Sequence, residues 1–189
     1  MSRLLHRKVH RYVGRRFGGH RQIASSIELS PDEERLLATR TDLAGDDVGG
    51  EVPPYLTYSL LARHGALTWT VYDPGADRTG AVRSETIVFE PSLDPFALVP
   101  FVQGPPPARE LEEAREREGA VPLEPLHVEE PAAPSPERLL EPLAALPEAT
   151  LVLLLSALDG PLPLALLGAA RPTDVLRALF ALAPRAGRA

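Results

Sequence analysis

Three short β-type runs between residues 55 and 89 constrain the fold of this chain more than any other feature. Residues 55–62, 66–72 and 82–89 are rich in Leu, Thr, Val and aromatic side chains. A tight turn at His64-Gly65 separates the first two runs, and a longer turn with Asp, Pro and Gly precedes the third. Because short turns join antiparallel neighbours, these runs predict three consecutive antiparallel strands.

The N-terminal residues show the same alternation in two runs around a glycine-rich turn. Residues 9–13 precede Gly14 and Gly18-Gly19, and the alternation resumes over residues 23–29. Glycine adopts positive φ more readily than any other residue, so we expect these glycines to form the turn. The pattern predicts a hairpin with a basic tip. In it, Gly19 has a positive φ and His20 packs or hydrogen-bonds structurally.

A helix start follows the hairpin. Ser30 is suited to capping, Pro31 to the first helical position, and Glu33 completes a capping box. We expect this helix to run to about residue 43 and to bury its leucines, Leu36, Leu37 and Leu43. A short helical segment is predicted over residues 92–101.

The composition changes sharply after residue 103. Residues 104–136 are rich in Pro, Glu and Ala and bury too little apolar surface to offset the entropy of ordering. Residues 137–189 return to apolar helix patterning. We therefore predict a β-rich core over 1–103, a linker or surface strap over 104–136, and a helical part over 137–189 that packs on the core. The fold class is α/β (α+β), with antiparallel β hairpins, packed helices and a helix-rich C-terminal part.

Charge is distributed unevenly along the 189 residues. The chain has 20 Lys and Arg against 26 Asp and Glu, yet its first 22 residues contain seven basic side chains and no acidic one. Such a surface suits an acidic protein face or nucleic acid, and the alternative is pairing with the chain's own acids. The predicted partner-binding residues are Arg7, Arg11, Arg15, Arg16, His20 and Arg21. We expect the first four of these to be largely exposed.

The sequence predicts no catalytic, cofactor or metal site, and therefore no enzyme. It has no cysteine, which excludes disulfides and thiol chemistry. Ser25 and Ser26 lack the context of a hydrolase nucleophile, and Gly18-Gly19 lacks the Lys-Ser pair of a phosphate-binding loop. We expect His20 and Glu85 not to hydrogen-bond to each other.

The remaining candidate features are metal ligands and a membrane span. His6 and His10 lie too far apart on a strand to share a metal ion, and Asp46-Asp47 are explained equally well as a loop that ends a helix or as cation ligands. The N-terminus has no apolar run behind its charges, and the longest apolar run, 150–157, is too short to span a membrane. We therefore expect a cytoplasmic protein without a membrane span.

Several short motifs occur in a characteristic order. They are Tyr12 to Arg16, Gly19-His20-Arg21, Ala24-Ser25-Ser26, Glu34-Arg35-Leu36-Leu37, Pro54-Tyr55-Leu56 and Arg78-Thr79-Gly80-Ala81-Val82. In this order they resemble the N-terminal domain of bacterial GTPase-associated proteins. Leu158-Asp159-Gly160-Pro161 and a helix ending at Arg185 extend the resemblance to the C-terminal part.

The resemblance implies an α/β domain in a non-catalytic adaptor. Such an adaptor is a subunit of a multi-protein bacterial conflict or defence system, and its partner is a GTPase or another chain of the same assembly. The family usually shows Trp-Thr-His-Thr where this chain has Arg83-Ser84-Glu85-Thr86, so no role for that histidine is carried over. Family members continue beyond the position of Arg185, so a stand-alone or shortened version is expected. The alternative function is a binding module for an anionic polymer, nucleic acid or a membrane surface, through the basic hairpin.

Overall fold

Two compact units make up the chain in a computed structural model, Met1–Glu130 and Pro131–Ala189, here called unit 1 and unit 2. The structure describes residues 2–14, 19–41, 54–73, 76, 80–102, 120–129, 135–152, 174, 175 and 178.

Unit 1 is built on one seven-stranded sheet. Its strands are β1 Ser2–Tyr12, β2 His20–Ser25, β3 Tyr55–Leu60, β4 Gly65–Tyr72, β5 Val82–Phe89, β6 Val121–Pro122 and β7 Leu126–Glu129. Their order across the sheet is β3-β4-β5-β1-β2-β6, and β7 pairs with the start of β1. The neighbours are antiparallel except for β2 and β6. The predicted α/β class is confirmed.

The predicted hairpins form as expected. The run 55–89 gives the antiparallel succession β3-β4-β5, and β1 pairs with β2 with a register shift between Val9 and His10. Gly14 has a φ of 98° and Gly19 a φ of 76°, so the predicted positive φ of Gly19 is confirmed. Residues 15–18 of the hairpin tip, including Arg15 and Arg16, lie outside the described residues.

Helices begin where capping residues occur. They are α1 Pro31–Thr41, a 3₁₀ turn Pro95–Leu98, α2 Val99–Val102 and α3 Pro136–Ala144. The backbone N–H of Glu33 donates to Ser30 Oγ at 3.4 Å, and the Glu33 carboxylate accepts from the Ser30 backbone N–H at 3.3 Å, so the predicted capping box is present. Leu37 is fully buried as predicted, but Leu36 is 38% exposed. The prediction for Leu36 was wrong because the buried face of α1 consists of Glu33, Leu37 and Thr41, and Leu36 lies off that face.

The Pro-rich segment contributes two strands that the sequence did not predict. β6 pairs with Ala24 and Ser25 of β2, and β7 pairs with residues 2–5 of β1. Leu123 and Val128 are buried there, at 8% exposure each. Composition carried no signal for these strands because their hydrogen-bond partners lie about a hundred residues earlier in the chain.

Apolar side chains cover one face of the sheet and form the large core of unit 1. This core consists of Leu5, Leu67, Ile87, Phe89, Leu93, Leu98, Val99, Val102 and Val128. A Cβ at Gly65 would lie 2.7 Å from the Phe89 ring, so only glycine allows this ring to lie against the β4 backbone. The smaller unit 2 has its own apolar cluster of Leu143, Val175 and Ala178.

Candidate partner-binding surface

Three of the predicted partner-binding arginines lie on one face of the sheet. Arg11 of β1 lies directly opposite Arg21 of β2 and, on its other side, directly opposite Arg83 of β5. Directly opposite residues share a face, so Arg83, Arg11 and Arg21 form a row across three strands. Arg7 lies four residues before Arg11 on β1 and therefore shares that face. Sequence reasoning missed Arg83 because only the β1–β5 register brings it to the row.

Arg11 is not exposed, which corrects the prediction made for it. The residue is 9% exposed, and its Nε and Nη2 donate to the two carboxylate oxygens of Asp73 at 2.5 and 3.2 Å. Asp73 comes directly after β4 and is itself 6% exposed. Arg7 is half-buried rather than largely exposed, as is Arg21. Part of the basic hairpin therefore pairs with the chain's own acids.

A second acidic residue lies within this group of arginines. Arg83 Nε is 3.6 Å from Glu85 Oε1, and Glu85 is 9% exposed. Burial raises the pKa of Glu85, whereas the positive charges of Arg83 and Arg7 lower it. We call Arg7, Arg11, Arg21 and Arg83, together with Asp73 and Glu85, the arginine cluster. Four cationic and two acidic side chains give this cluster a net positive charge.

His20 lies on the opposite face of the sheet from the arginine cluster. It is the strand partner of Tyr12, and its ring stacks on His10 with 6.1 Å between the centroids and 11° between the planes. Burial, together with the nearby His20 and Lys8, lowers the pKa of His10 to about 3. Stacking is consistent with a structural role for His20. The six predicted residues therefore do not form one surface.

Buried polar side chains line the face on which the two histidines lie. The hydroxyls of Thr68 and Thr86 are 2.9 Å apart, and those of Thr70 and Ser84 are 3.0 Å apart. The Ser84 hydroxyl also donates to the backbone carbonyl of Thr41, at the end of α1, at 2.7 Å. These residues, at most 2% exposed, form a polar layer between the sheet and α1.

Lys8 is the buried cation of this polar layer. It is 1% exposed, and its Nζ donates to Gln22 Oε1 and Glu34 Oε1, both at 2.5 Å. Glu34 is on α1, so this ion pair joins the helix to the central strand. Lys8 is one of the seven basic side chains of residues 1–22, and only the tertiary structure shows that it faces inward.

Glu33, one residue earlier on α1, fixes the turn between β3 and β4. It accepts hydrogen bonds from the Arg63 backbone N–H at 3.0 Å and is 3.1 Å from His64 Nδ1. Burial favours a higher pKa, but the bonds from Arg63, Ser30 and His64 outweigh it and hold the pKa of Glu33 at about 2. Glu33 therefore remains a carboxylate that joins α1 to this turn.

A cavity of about 550 Å³ lies beside the polar layer. Gln22 and Glu34 line it together with Ser25, Ser26 and Leu123. The Ser25 hydroxyl donates to the Ile27 carbonyl at 2.6 Å, and the Ser26 hydroxyl accepts from the Arg7 backbone N–H at 2.7 Å. Both serines thus bind backbone groups, as expected of structural hydroxyls.

In the described part of the chain, no group of three or more His, Asp or Glu side chains is arranged to hold a metal ion. No helix of that part is long and apolar enough to cross a membrane. The predicted cation ligands Asp46-Asp47 lie outside the described residues.

Residues 5–93 match the family model of GTPase-associated protein 1, N-terminal domain type 1. The chain is similar to this family over its N-terminal part. The match confirms the resemblance drawn from the motifs between Tyr12 and Val82. The matched residues include most of β1, all of β2 to β5 and α1, and every member of the arginine cluster. Searches of curated proteins and of solved structures gave no significant match.

Proposed function

We propose that this chain is a non-catalytic protein-interaction adaptor of a multi-protein bacterial conflict or defence assembly coupled to a GTPase. The observation that carries the proposal is the match of residues 5–93 to a domain described as GTPase-associated. The adaptor works in the cytoplasm, and its partner is a GTPase or another chain of the same assembly.

The arginine cluster supports docking of an acidic patch on the partner. Arg7, Arg21 and Arg83 are half-buried, so part of each residue is open to solvent. Guanidinium groups bind carboxylates in a bidentate manner, as Arg11 already does with Asp73. The ion pair of Arg11 and Asp73 thus holds the centre of the row, and its neighbours meet the partner.

Charge reversal tests this docking surface. We expect the full-length wild-type chain to retain a GTPase or another assembly subunit in a pull-down from the native cell, and the Arg7→Glu, Arg21→Glu double variant to lose it. Arg35→Glu is the matched control, because Arg35 is an exposed arginine of α1 with its side chain 76% exposed. Capture of the same partner by the double variant, with folding intact by circular dichroism, would contradict the docking surface.

An anionic polymer is the second candidate, and the arginine row is the observation that favours it. Arginine rows bind phosphates as well as carboxylates. A polymer of phosphates would be bound with an affinity that falls steeply between about 50 and 200 mM salt. Fluorescence anisotropy with a labelled single-stranded oligonucleotide measures this directly. Binding that shows such a slope and is lost in the same double variant would replace the adaptor proposal.

A further inference from the structure

The sheet face that contributes to the large core of unit 1 is covered over only part of its length. On β4, Leu67 is fully buried in this core, whereas Trp69 and Val71, the next residues of the same face, are half-buried. On β5, Ile87 is buried in the core, and Arg83 of the same face has 29% of its side chain exposed. The apolar face of the sheet therefore reaches solvent at Trp69 and Val71.

Strand register brings this open part of the face next to the arginine cluster. Trp69 lies directly opposite Glu85, and Val71 lies directly opposite Arg83. Arg7 of β1 is a diagonal neighbour of Glu85, as Arg83 is of Trp69. Diagonal neighbours are about 7 to 8 Å apart, within reach of aromatic and long side chains. Trp69, Arg7 and Arg83 therefore surround Glu85 on one face of the sheet.

A single carboxylate, that of Glu85, faces two guanidinium groups here, because Arg7 and Arg83 both act on it electrostatically. Arg83 Nε is 3.6 Å from Glu85 Oε1, which is longer than a hydrogen bond, and among the described residues this buried nitrogen has no hydrogen-bond partner. The Arg11–Asp73 pair, in contrast, is bidentate. Arg7 and Arg83 therefore keep a net positive charge, which suits a further carboxylate from outside the chain.

We propose that the partner segment that docks on the arginine cluster presents an acidic side chain next to an aromatic one. The carboxylate meets Arg7 and Arg83, and the ring packs on Trp69 and Val71. Tryptophan and arginine are enriched among the residues that dominate protein interfaces, and contacts between aromatic rings add to the gain from buried apolar area. Such a segment is a more specific partner than the acidic patch of the proposed adaptor function, on which this proposal rests.

The composition of the surface favours a protein segment over a nucleic acid. A single strand is bound by a basic groove with aromatic side chains for successive bases. This chain has one tryptophan, and the surface includes the carboxylate of Glu85 beside its arginines. The net charge of the whole chain is −6, which opposes a long polyanion outside the cluster. A short segment with one carboxylate and one ring is repelled less.

Titration of the full-length chain with two short synthetic peptides tests this partner chemistry. Both consist of glutamate and glycine, and one has a central phenylalanine where the other has alanine. We expect the phenylalanine peptide to change the fluorescence of Trp69, the single tryptophan, and to bind about tenfold more tightly in calorimetry, since the ring buries more apolar area. Equal affinities for the two peptides, or no binding of either, overturn the proposal.

Substitution of Val71 separates the apolar contact from the charges. Val71→Ser should weaken binding of the phenylalanine peptide by about fivefold and leave the alanine peptide unchanged, whereas Arg83→Gln should weaken both. Leu36→Ser is the matched control, because Leu36 is an exposed leucine of α1, on the other side of the sheet. Circular dichroism checks that each variant is folded. A folded Val71→Ser variant that binds the phenylalanine peptide as the wild type does overturns the apolar contact.

The pull-down of the Arg7→Glu, Arg21→Glu double variant decides the adaptor function independently. If this variant loses the native partner while the two peptides bind the wild-type chain equally, the adaptor function stands and the acidic–aromatic partner is wrong. A labelled single-stranded oligonucleotide that binds more tightly than the phenylalanine peptide and displaces it assigns the surface to a polyanion, which overturns both.

Discussion

Burial of His10 makes the stability of the chain depend on pH. Its pKa is about 3 in the folded chain against an ordinary value of 6.5. Between these values the unfolded chain binds a proton that the folded chain does not. The neutral form of His10 therefore contributes its full stability above pH 6.5, and this contribution is lost as the pH falls toward 3.

We expect the free energy of unfolding to decrease from pH 6.5 to pH 5, and His10→Gln to remove much of that slope because glutamine does not titrate. Urea unfolding at a series of pH values measures this free energy for the wild-type chain and for His10→Gln. His127→Gln is the control, since His127 is exposed on β7. An unchanged slope in His10→Gln would contradict the role of the buried imidazole.

Gly19 is required for its backbone conformation and not for lack of space around it. Its φ is 76°, and a Cβ there would lie 3.9 Å from the Tyr12 ring, an ordinary contact distance. Gly19→Ala should therefore cost about 1 to 2 kcal/mol through the left-handed backbone alone. Gly19→Asn should cost less, because asparagine tolerates that conformation. Chemical denaturation measures both variants, and an equal cost for the two would contradict backbone strain as the cause.

At the scale of elements, α1 is held on the sheet by polar groups as well as by the apolar cluster of Leu37, Leu61 and Ala66. Leu37 is its fully buried leucine, whereas Lys8 with Glu34 and Ser84 with Thr41 join the helix to the strands. The capping box at Ser30 was predictable because it is local in sequence. The polar layer was not predictable, because alternation in β1 cannot distinguish a buried lysine that has a partner from a lysine in water.

The Lys8–Glu34 pair should respond asymmetrically to the loss of either partner. Glu34→Ala leaves a buried ammonium without its counter-charge and should cost about 2 to 3 kcal/mol, less than for a fully buried pair because the Glu34 side chain is 35% exposed. Lys8→Met should cost less, since it removes the charge that needs burial. Thermal and urea unfolding of both single variants and the double variant measure the free-energy cost of each substitution. A larger loss for Lys8→Met would contradict the argument.

At the scale of the whole molecule, each unit has its own apolar cluster. Trp69, the single tryptophan, packs against the core of unit 1, so its fluorescence reports on the unfolding of that core. The helices described in unit 2 contribute to circular dichroism but not to this signal. Comparison of the two signals therefore separates the unfolding of the units.

We expect the tryptophan and circular dichroism transitions of the full chain not to coincide in urea, because two separate clusters need not unfold together. A chain ending at Glu130 should keep the midpoint of the tryptophan transition, since the sheet and its core lie within unit 1. Coincident transitions in the full chain, together with loss of the tryptophan transition on truncation, would show a single cooperative unit.

The sequence alone determined the local features of this protein. The hairpin glycines, the capping box at Ser30 and Glu33, and the succession of strands between residues 55 and 89 depend on neighbours in the chain. The order of short motifs was also enough to indicate the family that residues 5–93 match. In each case the physical cause acts over a few residues, through φ, capping or alternation.

Only the tertiary structure decided which charges are buried and which surface they form. Arg11 meets Asp73, and Arg83 joins the row, because β5 and β2 pair with opposite edges of β1. Strands β6 and β7 likewise depend on backbone partners supplied by β2 and β1. Pairing between strands distant in sequence sets the face and the neighbours of each side chain, and residue type alone does not specify that pairing.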